Sequence, residues 1–93
     1  FNAKAAASLY AELADVLGVP GEGDTAMRSD AFVRHMEKLM DESGAPRRLR
    51  DVGVTDNTLA MLASDAMKQS RLLINNPVEV REEDALALYR EAF

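Results

Sequence analysis

The chain has 93 residues, a net charge of −5 and a hydrophobic fraction of 47%, which together indicate one small globular domain rather than a disordered segment. It contains no cysteine, which excludes disulfides and thiolate metal sites. The acidic balance argues against nucleic-acid binding, because Lys and Arg drive that binding by neutralising phosphates. The only basic cluster, Arg47-Arg48-Leu49-Arg50, is local. No apolar run approaches the about 20 residues of a membrane span. We expect a cytoplasmic protein without nucleic acid or membrane as a partner.

Two helices are predicted in the first half of the chain. The first covers about Ala3–Leu17 and ends at Gly18 and Pro20, because glycine suits the left-handed cap and proline cannot continue a helix. Its predicted inner face consists of Ala6, Leu9, Tyr10, Leu13, Val16 and Leu17. The second helix covers about Thr25–Glu42, with Asp24 or Thr25 as its cap and Gly44 and Pro46 at its end. Its apolar stripe consists of Phe32, Val33, Met36, Leu39 and Met40, where core filling is the better explanation for both methionines.

The second half begins with a connector, Arg47–Val54, that turns at Gly53. Its predicted anchors are Leu49, Val52 and Val54. A third helix runs from an N-cap at Thr55 to about Ser70, and a fourth covers about Glu82–Ala92. The predicted inner face of the third helix is Leu59, Leu62, Ala63, Ala66 and Ser70, and that of the fourth is Ala85, Leu86, Tyr89, Ala92 and Phe93. No strand pattern appears, so the sequence predicts an all-α fold, a small bundle of four main helices in a single domain over residues 1–93.

None of the residues that could support chemistry forms a convincing site. His35 is the only histidine, and the positions one turn away on its helix hold Ala31, Phe32, Lys38 and Leu39, none of them a metal ligand. Glu82, Glu83 and Asp84 could form an acid/base pair, but acids at a helix start are better explained by the helix dipole. The glycines of the segment 18–23 lack the strand and lysine of a phosphate loop, which favours a flexible surface connection. We therefore predict no catalytic, cofactor-binding or metal-binding residue.

Three segments nevertheless stand out in order along the chain: Gly44–Val54, Arg71–Pro77 with its Asn-Asn-Pro, and Glu83–Phe93. Together they resemble the C-terminal end of the iron-containing (group III) alcohol dehydrogenase family. The opening Phe1-Asn2, followed by Tyr10-Ala11-Glu12-Leu13-Ala14, resembles the family segment just after its metal-binding half. The likeness covers the whole chain. It departs at Arg81, where the family commonly has a Thr cap, and at Val78, where a basic residue often follows the Asn-Pro.

The resemblance implies a larger parent protein, a two-domain oxidoreductase with an N-terminal α/β domain for NAD(P) and a helical domain for a divalent metal, iron or sometimes zinc. The family's metal ligands, one Asp and three His, lie upstream of the segment that Phe1 begins, so none is carried onto this chain, and His35 matches no ligand. The resemblance therefore implies that the parent binds NAD(P) and a metal through residues outside these 93, and that these 93 residues hold no cofactor. The implied partner is the remainder of the parent chain, and the family often forms homodimers.

Two other classes of protein remain open. The first is an autonomous helical interaction module, whose partner surface would include Met61 and Leu72, both off the inner face of the third helix. The second, less favoured, is a small enzyme using Glu82–Asp84. Under the leading hypothesis, the parent is an enzyme and the 93-residue chain alone shows no turnover. That hypothesis also predicts that Met61 and Leu72 stay uncovered where the rest of the parent would pack.

Overall fold

The computed structural model describes all 93 residues, and every regular element in it is helical. The α-helices are α1 (Ala7–Val16), α2 (Thr25–Ser43), α3 (Leu59–Ala66), α4 (Ser70–Leu73) and α5 (Glu82–Ala92). Short 3₁₀ helices cover Leu49–Val52 and Asp56–Thr58. The predicted all-α class is confirmed. None of the helices is both long enough and apolar enough to cross a membrane. Proximity of Cα atoms divides the chain into two compact units, Phe1–Ala45 and Pro46–Phe93. The prediction of a single domain stays a prediction.

The first unit is a pair of helices, α1 and α2, joined by a tight glycine turn. Gly18 adopts φ +64°, its N–H donates to the carbonyl of Asp15, and the N–H of Val19 donates to that of Ala14 at 2.9 Å. These two bonds form a Schellman motif, which satisfies carbonyls left free at the end of α1. At the other side of the turn, Asp24 caps α2 by accepting from the N–H of Met27 at 2.9 Å. Both the glycine stop and the predicted Asp24 cap are confirmed.

The interior of this unit is built from small side chains, which corrects the predicted inner face of α1. Ala6, Ala14 and Val19 are buried, and Tyr10 packs on Phe32 with ring centroids 5.2 Å apart. The predicted face was wrong at its larger apolar residues, since Leu9, Leu13, Val16 and Leu17 are all exposed. A helix pair buries only the narrow stripe between its axes, and small residues on that stripe let the backbones approach closely. The first helix is also shorter than predicted, because residues 3–6 form turns and α1 begins at Ala7.

The predicted stripe of α2 is buried only in part. Phe32 and Val33 are half-buried, but Met36, Leu39 and Met40 are 40%, 43% and 46% exposed, so core filling by the two methionines was wrong. The reason is length. At a rise of about 1.5 Å per residue, α1 spans about 15 Å and α2 about 28 Å. A helix with 10 residues cannot cover one with 19 residues, and the C-terminal half of α2 is left without cover from α1.

The second unit is organised around the packing of α3 on α5. Leu59, Ala63 and Ala85 are its buried residues. The predicted inner faces of the third and fourth helices are otherwise half-buried except at Ser70 and at Ala92 in the last turn of α5, where the prediction was wrong because both residues are exposed. The connector forms a 3₁₀ turn that ends at Gly53 with φ +86°, where the N–H of Val54 donates to Leu49. Leu49 and Val54 are half-buried, whereas Val52 is 60% exposed and was wrongly predicted as an anchor. A 3₁₀ turn places only some of its side chains inward.

The predicted third helix is interrupted. The α-helix begins at Leu59, after a 3₁₀ turn, and ends at Ala66, where the amides of Lys68 and Gln69 bond to carbonyls three residues back. Such bonds tighten the last turn of a helix and direct the chain away from its axis. Ser70, predicted on the inner face, is exposed and begins the separate helix α4. Thr55 precedes the 3₁₀ turn, but its hydroxyl donates to the Asn57 side chain rather than capping the backbone.

The fourth predicted helix has the same bounds in the structure as α5. It begins after Arg81, whose N–H donates to Asp84 Oδ2 at 3.0 Å. That bond is one half of a capping box, in which a side chain in the first turn reaches back to the residue before the helix. Arg81 has no side-chain acceptor in place of the Thr hydroxyl, so the helix start keeps only this half of the capping box.

Candidate functional site

The second unit has an apolar cleft between α3 and α5, which we call the α3–α5 cleft. It has a volume of about 350 Å³. Its lining residues are Leu49, Ala66, Val80, Ala85, Leu88, Tyr89 and Ala92. The only side-chain polar atom in that set is the Tyr89 hydroxyl. A site with so few polar groups can bury an apolar surface, but it offers no pair of acid and base for proton transfer.

His35, the only histidine and not expected to bind a metal, lies in a recess of the first unit. This recess has a volume of about 340 Å³ and is lined by Val19, Pro20, Ala31, Arg34, His35 and Lys38. Its charged groups are two cations, Arg34 and Lys38, and it contains no carboxylate. No group of three or more His, Cys, Asp or Glu side chains in the chain is arranged so that it could hold a metal ion. Because a divalent cation needs several neutral or anionic ligands, these residues do not fit a metal, and we derive no chemical step through one.

The acidic cluster at the start of α5 has a structural role. Arg81 forms ion pairs with Glu83 at 3.0 Å and Asp84 at 3.4 Å, and Asp84 also accepts from the Arg81 N–H. The three acids occupy the first turn, where the helix dipole favours negative charge. The arrangement supports the helix-start interpretation over an acid/base pair. Elsewhere, the hydrogen bond and charge of Asp65 raise the pKa of Lys68, but both side chains are exposed and line no recess.

Each unit contains one arginine that fastens parts of that same unit, and sequence reasoning missed both. Arg28 of α2 reaches back to the glycine turn, donating to the carbonyls of Val19 and Gly21 at 2.9 Å each and pairing with Asp15 at 2.5 Å. The segment 18–23 is thus fastened, although the sequence favoured a flexible connection. A Gly-rich turn with many unpaired carbonyls, followed by an arginine in the next helix, is the only signal that the sequence offered.

The second arginine, Arg50, belongs to the basic cluster. Its guanidinium lies 4.8 Å from the centroid of the Phe93 ring, and its Nε donates to the Phe93 carbonyl. These contacts join the connector to the end of α5. Arg50 is therefore used inside its own unit, which weakens the cluster as a surface for anionic partners.

Large apolar side chains remain on the surface of both units. Met61 is 56% exposed and Leu72 is 66% exposed, so the prediction that both stay uncovered is confirmed. Ile74, beside Leu72, is 83% exposed. Single exposed apolar residues are ordinary, but these accompany an open apolar cleft in the same unit. The chain thus combines a small interior with much uncovered apolar surface.

Comparison with known proteins identifies the family of the chain. A family model described as the Fe-containing alcohol dehydrogenase family, C-terminal, matches residues 1–93. The chain belongs to this family. The family resemblance read from the sequence is confirmed.

A curated relative of the chain is Long-chain-alcohol dehydrogenase 1 of Geobacillus thermodenitrificans. It is 30% identical over 86 residues, a stretch that covers 87% of this chain and 22% of the relative. The chain therefore spans about a fifth of the length of this relative. No solved structure matches the chain.

Proposed function

We propose that these 93 residues are the C-terminal helical part of an NAD(P)-dependent alcohol dehydrogenase and perform no turnover alone. The observation that carries the proposal is the family match over residues 1–93. The chain's own residues support the second clause, since they assemble neither a metal-ligand set nor an acid/base pair. The proposal includes a cytoplasmic location, which the cysteine-free sequence supports.

The division of labour in the parent follows from chemistry. An alcohol is oxidised when hydride passes to a nicotinamide and a Lewis acid stabilises the developing alkoxide. We place the nucleotide and the metal in the part of the parent upstream of Phe1, and a helical scaffold in these residues. The name of the relative makes long-chain alcohols the first substrates to test.

The upstream sequence of the natural gene provides the first test. One Asp and three His at family spacing before Phe1 are expected. If that upstream part lacks them, the metal-dependent parent is wrong.

The second test is enzymatic and uses the full-length protein. NAD(P)H formation at 340 nm should depend on a primary alcohol, and dialysis against a chelator should abolish it until iron or zinc is restored. A full-length protein that oxidises no alcohol with either nucleotide and either metal would contradict the proposal.

A second candidate is an autonomous interaction module, which the exposure of Met61 and Leu72 favours. The two candidates predict different reading frames in the natural gene. A natural reading frame that has its own start codon just before Phe1 and ends after Phe93 would favour the module. A frame that continues far upstream would exclude it.

A further inference from the structure

We propose that the α3–α5 cleft is a docking groove for an amphipathic helix from the part of the parent chain that lies outside these 93 residues. The inference rests on the proposed function, because it takes the parent as the source of the helix. It adds to the proposed function the surface of this chain that the helix covers.

The chemistry of the cleft fits an apolar helix face. Its lining combines three alanines, Ala66, Ala85 and Ala92, with the larger Leu49, Val80, Leu88 and Tyr89. Alanines let another helix approach closely, and larger side chains beside them can interdigitate with residues spaced i, i+3, i+4 and i+7. With no charged side chain in the lining, the cleft offers nothing to recognise an ionic partner.

The second argument is the amount of surface. The chain exposes 6857 Å². Two separate folded globules, each of half the 10.2 kDa mass, would together expose about 6,400 Å². Four of the six buried apolar residues are alanines, so little of the larger apolar surface is inside. The exposed area is therefore close to that of two small folded globules, and interiors built mainly from alanine leave large apolar side chains for further chain to cover.

The length of the curated relative indicates where the docked helix comes from. The matched 86 residues make up 22% of the curated relative, so more than three quarters of that protein lies outside the match. A segment of the same chain is present at high effective concentration and needs no separate binding step. This favours a parent helix over a second copy of the chain or an unrelated protein.

The test uses the full-length protein and a pair of neighbouring positions on α5. Leu88 lines the cleft and is 36% exposed in this chain, whereas Ala87 is exposed and lines no recess. In the docked state, the thiol of Leu88→Cys should react with a maleimide about 100-fold more slowly than that of the Ala87→Cys control. Equal rates at the two positions would overturn the proposal.

Three further readouts separate the remaining outcomes. Protection of Leu88→Cys that disappears on dilution would assign the cleft to a second copy and overturn the parent helix. Hydroxyl-radical oxidation of Tyr89 in the unmodified protein should be at least about tenfold slower than that of free tyrosine, and an undiminished rate would overturn the proposal even if the cysteine variant misfolds. Alcohol oxidation in the same samples is scored separately. An active protein with an open cleft refutes only the docking, and an inactive protein with a protected cleft refutes only the proposed activity.

Discussion

Arg28→Ala should release the turn that joins α1 to α2. The guanidinium is 12% exposed and reaches three acceptors in that turn. Its Nη1 donates to the carbonyls of Val19 and Gly21, both at 2.9 Å, and its Nε and Nη2 donate to Asp15 at 3.1 and 2.5 Å. Alanine removes all of these donors at once and leaves the turn dependent on its own backbone bonds.

The magnitude follows from the environment of each acceptor. Hydrogen bonds from a charged donor contribute about 1.5–3 kcal/mol, but turn carbonyls that regain water recover part of this, which leaves about 1 kcal/mol for each. Asp15 is 70% exposed, so its ion pair adds at most about 1 kcal/mol. The sum is about 2–3 kcal/mol of local opening free energy, which corresponds to an increase of about 30- to 150-fold in the opening equilibrium of the turn.

The assay is amide hydrogen exchange at Val19, whose N–H donates to Ala14 inside the turn. In the full-length protein, Arg28→Ala should accelerate this exchange about 30- to 150-fold. Asp15→Ala is the matched control and should accelerate it no more than about fivefold, because both carbonyl contacts remain. If the exchange of Val19 is unchanged in Arg28→Ala, the fastening role is refuted. If Asp15→Ala has an equally large effect, the ion pair rather than the carbonyl contacts holds the turn.

Three further substitutions test other contacts. Arg50→Gln removes the contact with the Phe93 ring and should weaken the last turn of α5 by about 1 kcal/mol, seen as faster amide exchange there; unchanged exchange would show that the contact contributes nothing. Asp84→Ala removes the acceptor that caps α5 and should lower thermal stability by about 1 kcal/mol, whereas an unchanged melting temperature would contradict the capping role. Ala63→Leu should cost about 1–3 kcal/mol because Ala63 is 1% exposed at the packing of α3 on α5, and the exposed Ala60→Leu should cost less than about 0.5 kcal/mol; equal costs would contradict that packing.

Helix ends were predictable from the sequence where a residue type has a strong local cause. Gly18 and Asp24 mark the ends of α1 and α2 because a left-handed glycine and a short side-chain acceptor act within a few residues. The acids at Glu82–Asp84 located α5 for the same reason. The break after Ala66 has no such cause in the sequence, since neither glycine nor proline stands there, and it was missed.

Burial was harder to predict, because it depends on what packs against a helix. The periodicity of α1 placed Leu13 inside, yet the structure buries Ala14 beside it and leaves Leu13 43% exposed. Met40 shares a stripe with Phe32, but α1 is too short to reach it. The contacts of Arg28 depend on a turn 7–13 residues away along the chain, which periodicity does not describe. The same holds for the candidate site. The exposure of Met61 could be predicted from its position off the inner face of one helix, but the α3–α5 cleft could not, because it depends on how two helices pack.

We propose that these residues complete a larger dehydrogenase and do not act alone. Side-by-side turnover of the full-length protein and of the isolated 93-residue chain tests it most directly, with a long-chain alcohol, both nucleotides, and iron or zinc supplied to each. Alcohol-dependent NAD(P)H formation is predicted for the full-length protein and none for the isolated chain. Turnover by the isolated chain, or its absence from the full-length protein under every metal and nucleotide, would contradict the claim.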